Sequence, residues 1–477
     1  MRTILDMSTQ FTRSIVCASL FFSVLLLFGC GGGTSSSSQN SNPQTSTTAL
    51  QVNIGDGPSD QLVAVSMTIG SMTLSNAAGG SVPVVSTPTT LEMMHRMGTT
   101  EPILLRSIAQ GTYSGATMTI SSALVTYMSL VTGQMVQKNV PGPMTATMSF
   151  SPSLTVSSSP MVLNLDMNMA ASVSIDAAGN VMMSPTVTAS VNAGGTGNGH
   201  DPENGGMQHR AGTIQSLSGG TFTLSMMQTS QNISVATNSG TQFQGMGGMG
   251  GMSNGMIVMV DAGMQPDGSF MAQNVESMMP TSGGAMADGL VTSLTGNPAT
   301  QLTLVAHDGA GSGMTNSDLA SAITVNVSST ANFNTDSDDV DMSNLPFTPV
   351  FDGNTIFKGQ RIVAVSSTGM MSGGGMGGMM GGGTVNASTI QLEQQGLRGA
   401  VSAYSASGSQ ATFTLTVASD SVFATLTGNT TLTVFQQPAT ELLGLTTVGN
   451  RDVVRVRGLL FLDAGTYKLV ASSMMGP

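Results

Sequence analysis

The residues with the most distinctive chemistry in this sequence are methionines in two Gly-rich runs. Residues 245–252 read GMGGMGGM, and residues 369–383 read GMMSGGGMGGMMGGG. Thioether sulfur is a soft ligand that suits Cu(I), and glycine spacers would let several sulfurs turn towards one ion. The candidate ligands are Met246, Met249, Met252, Met256, Met370, Met371, Met376, Met379 and Met380.

Two other interpretations of these runs stay open. They could be long hairpin loops of low complexity, or an adaptable apolar contact surface. The chain contains 39 Met, several of them at predicted strand positions such as Met118, Met161 and Met183, which indicates a general use of Met in place of Leu or Val. We favour the low-complexity loop and keep soft-metal binding, of Cu(I) or Ag(I), as the alternative function.

An acidic run at Asp336-Ser337-Asp338-Asp339-Val340-Asp341 is the densest cluster of carboxylates. Ca²⁺ requires several convergent oxygens, but the EF-hand pattern fails because Gly is missing at the sixth position and Phe347 stands where the bidentate Glu belongs. The run is interpreted as a solvated loop, with a structural or adventitious Ca²⁺ site as the alternative.

Catalytic patterns are scarce. The four histidines, His95, His200, His209 and His307, make no metal-ligand pair at i,i+4 spacing. A G-x-S-x-G match at 251–255 lies in the Gly/Met loop, whereas a nucleophile elbow needs a strand before the Ser and a helix after it. An enzyme would need carboxylates such as Asp56 and Asp166 to meet in the fold. We therefore predict no enzyme activity, no catalytic residues and no cofactor.

The N-terminus carries the signature of export. Arg2 and Arg13 precede an apolar or small-residue run over 14–28 that is closed by Gly29 and Cys30. The run is short for a membrane-spanning helix and fits a secretory signal. The segment around Cys30 resembles a bacterial lipobox, which implies cleavage before Cys30 and lipidation of its thiol. An ordinary signal peptide and an uncleaved helical anchor are the alternatives.

Composition limits the partners and the source of stability. The net charge is −12, charged residues make up 8% of the chain, and no Lys/Arg cluster occurs, which argues against nucleic acid as a partner. The two cysteines are Cys17 and Cys30, so the mature protein is predicted to contain no disulfide. Its stability must come from aliphatic and Met-rich cores.

Period-two alternation from Leu50 onwards predicts half-buried strands. Only Ile103–Ala109 and Ser317–Ile323 could form short helices. Gln51–Pro58, Ala109–Tyr113 and Leu163–Met167 resemble, in order and spacing, motifs of a bacterial lipoprotein family, domain of unknown function 4382. The resemblance covers about 140 residues and implies a β-sandwich in the cell envelope, without an assigned activity.

An internal repeat follows. Similar units open at Gly212, Gly289 and Gly399, and each continues through Phe-Thr-Leu or Leu-Thr-Leu, an Ile/Leu-x-Val strand and a Val-rich fourth strand. This order resembles domain of unknown function 5666, which implies a small secreted β-barrel often found in tandem.

The predicted fold is all-β, an N-terminal β-sandwich followed by three small β-barrel repeats. The predicted segments are a signal peptide (1–29), a Gly/Ser/Thr-rich tether (30–48), the sandwich (49–192), a Gly/Asn-rich linker (193–209) and repeats at 210–280, 287–395 and 396–475. The predicted function is a non-catalytic binding, structural or adhesion role for a lipoprotein of a diderm cell envelope. The predicted location is the outer membrane, facing the periplasm or the cell surface. Its partners would be the membrane, through the lipid, and an unknown protein or glycan.

Overall fold

Alternating apolar and polar residues build most of the described chain into β-strands. The structure is a computed structural model, and it describes residues 46–57, 59–76, 79–96, 100–195, 202–229, 232–279, 283–337, 339–371 and 382–476. The predicted signal segment, Cys30 and most of the tether lie outside these residues. So do His200, Met376, Met379 and Met380. The all-β prediction is confirmed.

The sandwich module, residues 46–195, contains two main sheets. One has the order β11-β8-β1-β5, and the other has the order β3-β2-β6-β7 with β4 paired to β2. The elements are β1 (Thr47–Gly57), β2 (Leu62–Asn76), β3 (Ser81–Val85), β4 (Thr89–Glu92), β5 (Thr100–Ala109), β6 (Gly111–Met128), β7 (Met135–Val156), β8 (Met161–Asn168), α1 (Met169–Ser172), β9 (Val173–Ile175), β10 (Val181–Met183) and β11 (Val187–Ala193). A 3₁₀ turn, Met94–Arg96, lies between β4 and β5.

The core of the sandwich module lies between these two sheets. Val52 on β1 and Leu165 on β8 face Met67 on β2 and Ile120 on β6, and all four side chains are fully buried. Such burial on one face of each sheet is what period-two alternation predicts.

The short helix considered for Ile103–Ala109 is wrong, because these residues lie in β5 and pair with β1. Register pairing with a buried neighbouring strand satisfies their backbone and overrides local helix propensity. At Ser317–Ile323, a 3₁₀ turn (Asn316–Asp318) precedes a strand that begins at Ala322.

Three smaller modules follow, at residues 202–279, 283–392 and 395–476. The first contains β12 (Gly206–Ser218), β13 (Thr221–Ser225), β14 (Asn232–Ala236), β15 (Gln242–Gln244), β16 (Ile257–Met264) and β17 (Phe270–Met279), with 3₁₀ turns at Pro202–Asn204 and Met249–Gly251. The second contains β18 (Ala285–Gly296), β19 (Ala299–Gly311), β20 (Ala322–Thr335), β21 (Arg361–Ser366) and β22 (Thr384–Leu392). The third contains β23 (Gln395–Ser407), β24 (Gln410–Thr416), α2 (Val422–Thr427), β25 (Thr431–Leu443), β26 (Val453–Asp463) and β27 (Thr466–Met475).

The second and third modules are closed five-stranded barrels in the orders β18-β19-β20-β22-β21 and β23-β24-β25-β27-β26. In each, the third and fifth strands pair in parallel. The first module has the sheet order β14-β13-β12-β16-β17-β15, with a further parallel pairing of β14 to β17. All three modules therefore share the same neighbours for their five common strands.

The first module starts earlier than the sequence indicated. β12 begins at Gly206, inside the segment predicted as a linker over 193–209, because Gly206 and Met207 already pair with Gly263 and Ala262 of β16.

No helix among the described residues is long and apolar enough to cross a membrane.

Candidate binding site at the module junction

A buried polar network joins the sandwich module to the second module. Glu92, at the end of β4, accepts hydrogen bonds from the backbone N–H groups of Val65, Met94 and His95 and lies 2.8 Å from His95 Nδ1. These bonds satisfy the N–H groups at the start of the 3₁₀ turn, and they fix His95 beside β2.

His307 on β19 lies on the other side of this network. Its Nε2 is 3.0 Å from the Val63 carbonyl oxygen, and its ring stacks 6.4 Å from the ring of His95. Gln228 of the first module bridges the network, since it accepts from Glu92 N and donates to the His307 carbonyl oxygen. Burial lowers the pKa of His307 below its usual 6.5, so the ring is neutral at pH 7.

A solvent-open cleft, here called the junction cavity, lies beside His95 and His307, between the sandwich, second and third modules. One part of its wall is apolar and includes Leu62, Val63, Met94, Leu290, Leu397, Val422 and Phe423. The other part is rich in cationic groups, because Arg361, Arg398 and Arg457 also line it. An apolar wall with a few polar groups at an interface between domains is the usual form of a small-molecule site.

The three arginines differ in how their charges are balanced. Arg361 on β21 is held by Asp288 on β18, with Nε–Oδ1 and Nη2–Oδ2 distances of 2.9 and 2.5 Å. Arg398 on β23 is partly exposed, and its Nη1 lies 3.9 Å from Asp60 Oδ2. Arg457 on β26 forms no ion pair within the described chain.

Arg457 is therefore the one cation on this wall whose charge has no carboxylate partner among the described residues. Its Nε donates a long hydrogen bond, 3.4 Å, to Gln394 Oε1. Burial and the neighbouring Arg361 guanidinium lower the pKa of Arg457 from its ordinary value, against a partial opposing effect of Asp336, Asp339 and Glu393. An anion in the cavity would relieve this repulsion and supply the missing partner.

A second polar cluster includes Glu393, which lies two residues before Gln395 of the cavity wall. His209 on β12, Asp336 after β20 and Glu393 after β22 offer ligand atoms that all lie within 4.8 Å of one another. Although burial opposes protonation of the ring, Asp336 and Glu393 raise the pKa of His209 to about 9. Burial and Asp336 raise the pKa of Glu393 to about 8.

The structure places the first run of predicted methionine ligands against a hydrophobic core. Met252 and Met256 are buried in the core of the first module, and Met246 and Met249 pack against it. Met249 Sδ accepts a hydrogen bond from Thr237 Oγ1 at 3.8 Å. In the described part of the run, these side chains fill space as Leu would.

Met370 and Met371, from the second run, take different positions. Met370 is buried with the core of the second module, whereas Met371 is exposed. Because Met376, Met379 and Met380 lie outside the described residues, soft-metal binding by this run stays a prediction.

The remaining candidates from the sequence do not form a catalytic set in the described chain. Asp166 is exposed on β8, and the side chain of Asp56 is not among those described. Ser253 lies in an exposed turn that leads into strand β16, so the nucleophile-elbow order of strand, Ser and helix is not found there.

The acidic run is not wholly a solvated loop, because its first residue, Asp336, is buried.

Sequence reasoning missed the placement of the arginines and of His95, His209 and His307. The available signal was that Arg361, Arg455 and Arg457 stand within Val-rich strands, where a charge needs a buried partner.

Comparison with known proteins identifies one part of the chain. The model of the family "Domain of unknown function (DUF5666)" matches residues 211–276, which lie in the first module and run from β12 into β17. No curated protein matches the chain. The first module is thus similar to a family domain whose function is unknown.

Proposed function

We propose that this protein is a non-catalytic binding lipoprotein of a diderm bacterial envelope, anchored through Cys30, that holds a small amphipathic anion in the junction cavity. The observation that carries the binding role is Arg457, a cation that forms no ion pair with the described residues and lies on the wall of a cavity with an apolar side. The envelope location and the outer-membrane anchor rest on the signal-like N-terminus and the lipobox resemblance.

The chemistry of the wall defines the ligand class. A carboxylate, sulfonate or phosphate would lie against Arg457 and Arg361, and its apolar body would lie against Leu397, Val422 and Phe423. These contacts come from the second and third modules, and the sandwich module contributes another part of the wall. Nucleic acid is disfavoured as a partner, since the chain carries net charge −12 and its sequence contains no run of Lys or Arg.

The module assignments are part of this proposal. The second and third modules would be divergent copies of the domain that matches residues 211–276, supported by their identical order of strand neighbours. The sandwich module would correspond to the lipoprotein domain of unknown function 4382 that it resembles in sequence. A surface protein or glycan remains a candidate partner for the assembled molecule.

A fluorescent naphthalene sulfonate, 8-anilinonaphthalene-1-sulfonate, tests the binding proposal. Arg457→Gln should weaken its binding by about tenfold or more, because a hydrogen bond to a charged group contributes about 1.5–3 kcal/mol. Arg451→Gln is the matched control, since Arg451 is exposed on the same module and does not line the cavity.

A neutral probe separates charge recognition from general hydrophobic binding. N-phenyl-1-naphthylamine should bind the wild type and Arg457→Gln with equal affinity, because it carries no anion. If both arginine variants bound the sulfonate as tightly as the wild type, the cavity would not be an anion site.

A further inference from the structure

His209, Asp336 and Glu393, here called the triad, converge from three separate segments. His209 lies on β12 of the first module, whereas Asp336 and Glu393 follow β20 and β22 of the second. The distances from His209 Nε2 are 3.6 Å to Asp336 Oδ2 and 3.7 Å to Glu393 Oε2. One imidazole nitrogen therefore faces two carboxylate oxygens at almost equal distances.

These distances suit a shared cation better than direct hydrogen bonds. An N–H···O hydrogen bond brings its heavy atoms to about 2.7–3.2 Å. Around Zn²⁺, with bonds of about 2.0–2.2 Å, neighbouring tetrahedral ligands lie about 3.3–3.6 Å apart. The two distances from His209 Nε2 lie at or just above the upper end of that spacing, and the three ligand atoms all lie within 4.8 Å of one another.

The triad also contains buried atoms that lack hydrogen bonds. The Glu393 side chain is 4% exposed, and its Oε1 has no hydrogen-bond partner. His209 Nε2, the atom that faces both carboxylates, has none either. A buried polar atom without a partner destabilises a fold, so such atoms are rare unless something else binds them.

The backbone of β12 turns the side chain of His209 towards Asp336 and Glu393. Between Met207 and Arg210, the pairing of β12 with β16 shifts register, so two residues oppose Asp261 alone. His209 has φ +50°, and its N–H donates to Asp261 Oδ1 at 2.6 Å. Such bulges redirect a side chain, and left-handed backbone in a residue other than Gly is costly unless its surroundings impose it.

The residues beside His209 reinforce this placement. Gln208 Nε2 donates to Asp339 Oδ2 at 2.9 Å, which ties the acidic run to β12. Arg210 pairs instead with Glu101 of the sandwich module and lies 3.6 Å from Asp308. The bulge thus directs three consecutive side chains to different carboxylates. Of the three, only His209 reaches Asp336 and Glu393.

We propose that His209, Asp336 and Glu393 bind one divalent transition-metal ion of the Zn²⁺ class. One imidazole and two carboxylates form a nitrogen and oxygen donor set that suits Zn²⁺ rather than Cu(I). The ion would satisfy the orphaned atoms, cancel the two carboxylate charges and tie β12 to the ends of β20 and β22. The fourth position would be taken by water. None of the three residues lines the anion cavity, although the carboxylates of Asp336 and Glu393 act on the charge of Arg457.

Metal titration of the full-length, tag-free chain, stripped with EDTA, tests the proposal. Co²⁺ should bind with one equivalent per chain and give the visible spectrum of a low-coordinate site, and Zn²⁺ should displace it. Zn²⁺ should also raise the melting temperature of the wild type, because the ion binds the folded state.

Two variants and one matched control locate the ion. Asp336→Asn and Glu393→Gln should each weaken Zn²⁺ binding by about 100-fold or more, since even outer-shell changes cost 10–100-fold. Asp341→Asn should bind as the wild type does, because Asp341 belongs to the same acidic run but bonds Ser343.

Two results would overturn the site. One is a wild-type chain that binds neither Co²⁺ nor Zn²⁺, a result that requires no variant to fold. The other is metal binding that survives unchanged in both triad variants.

Discussion

At the scale of single residues, the Asp288–Arg361 pair balances the charge of the junction. Both side chains are largely buried, and Arg361 also donates from Nη1 to the Gln394 carbonyl oxygen at 3.2 Å. Burial opposes ionisation of Asp288, but the two-pronged contact with Arg361 holds the pKa of that carboxyl below its usual 3.8. The pair can remain charged inside the protein because each partner satisfies the other.

Breaking this pair should be costly. Asp288→Asn should lower the free energy of unfolding at pH 7 by about 3–5 kcal/mol, because it leaves the Arg361 guanidinium buried without its counter-ion. Urea denaturation measures the loss. The double variant Asp288→Leu, Arg361→Met should lose less than the single one, since it removes both charges together. A double variant as unstable as Asp288→Asn would show that packing, not charge, explains the loss.

The same pair predicts a pH dependence. Since the folded pKa of Asp288 lies below the unfolded value of 3.8, its ionised form stabilises the protein above pH 3.8. This contribution is lost as the pH falls below 3.8 and through the folded pKa. Asp288→Asn should therefore show a shallower loss of stability in that acid range than the wild type. Equal acid slopes in urea denaturation would contradict the assignment.

Single-residue patterns could not predict these sites. His209 is separated by more than 100 residues from Asp336 and Glu393, and His95 by more than 200 from His307. Metal motifs in sequences depend on short spacings along one helix or loop. Here non-local strand pairing brings the groups together, so no local spacing records it. The pattern that predicts export, by contrast, is local, and it stays a prediction from the sequence.

At the scale of elements, the fourth common strand of each small module has two buried faces. On β16, Val258 and Val260 pack inside the first module, whereas Ile257 and Met259 pack outside it, against Val363 and Val365 of β21. On β26, Leu460 lies in the third module's own core, and Leu459 and Phe461 lie with the second module's core. These strands therefore build the barrels and also dock them together.

A methionine pair tests this docking role. Met259→Ala should destabilise the protein by about 2–5 kcal/mol, because it removes a buried side chain from the interface between the first two modules. Met182→Ala on β10 should change stability by less than about 0.5 kcal/mol, since Met182 is 62% exposed. Urea denaturation of both variants measures the difference. Equal, small effects would mean that the β16 outer face carries no docking energy.

The sequence predicted these strands but not the partner that covers their outer face. Ile257–Val260 and Ile362–Val365 are continuous apolar runs, a pattern typical of strands with two buried faces, whereas Val453–Val456 is interrupted by Arg455. That pattern does not name the partner on the outer face. The incorrect helix prediction for Ile103–Ala109 has a similar origin. The local pattern of this segment does not decide between helix and strand, and its pairing with β1 does. Turn chemistry and alternation are local signals, and module docking is not.

At the scale of the whole molecule, the modules share cores and bonds. Thr126 Oγ1 and Gln137 Nε2 of the sandwich module both donate to the Ala320 carbonyl oxygen of the second, at 2.7 and 2.9 Å. Val422 N of the third module donates to the Asp60 carbonyl oxygen at 2.7 Å. The junction cavity exists only where these contacts hold three modules together, so its shape depends on their common stability.

A second set of contacts joins the third module to an insertion in the second. Phe347, which belongs to the long connection between β20 and β21, packs its ring 5.2 Å from Phe435 and 6.1 Å from Phe461. Lys468 Nζ lies 4.3 Å from the centre of the same ring. The insertion therefore serves as a contact between barrels.

This shared packing predicts that residues 46–476 unfold cooperatively. Modules that share a core gain little from folding separately, so a change in one should affect all. Phe461→Ala should cost about 3–5 kcal/mol and move the whole calorimetric transition to lower temperature, because Phe461 of the third module fills the second module's core. Leu130→Ala, at a side chain that is 64% exposed, is the control and should leave the transition in place. The contrary result would be separate calorimetric transitions, of which Phe461→Ala moves only one. It would show that the modules are independent units and that the junction cavity can open without the unfolding of any module.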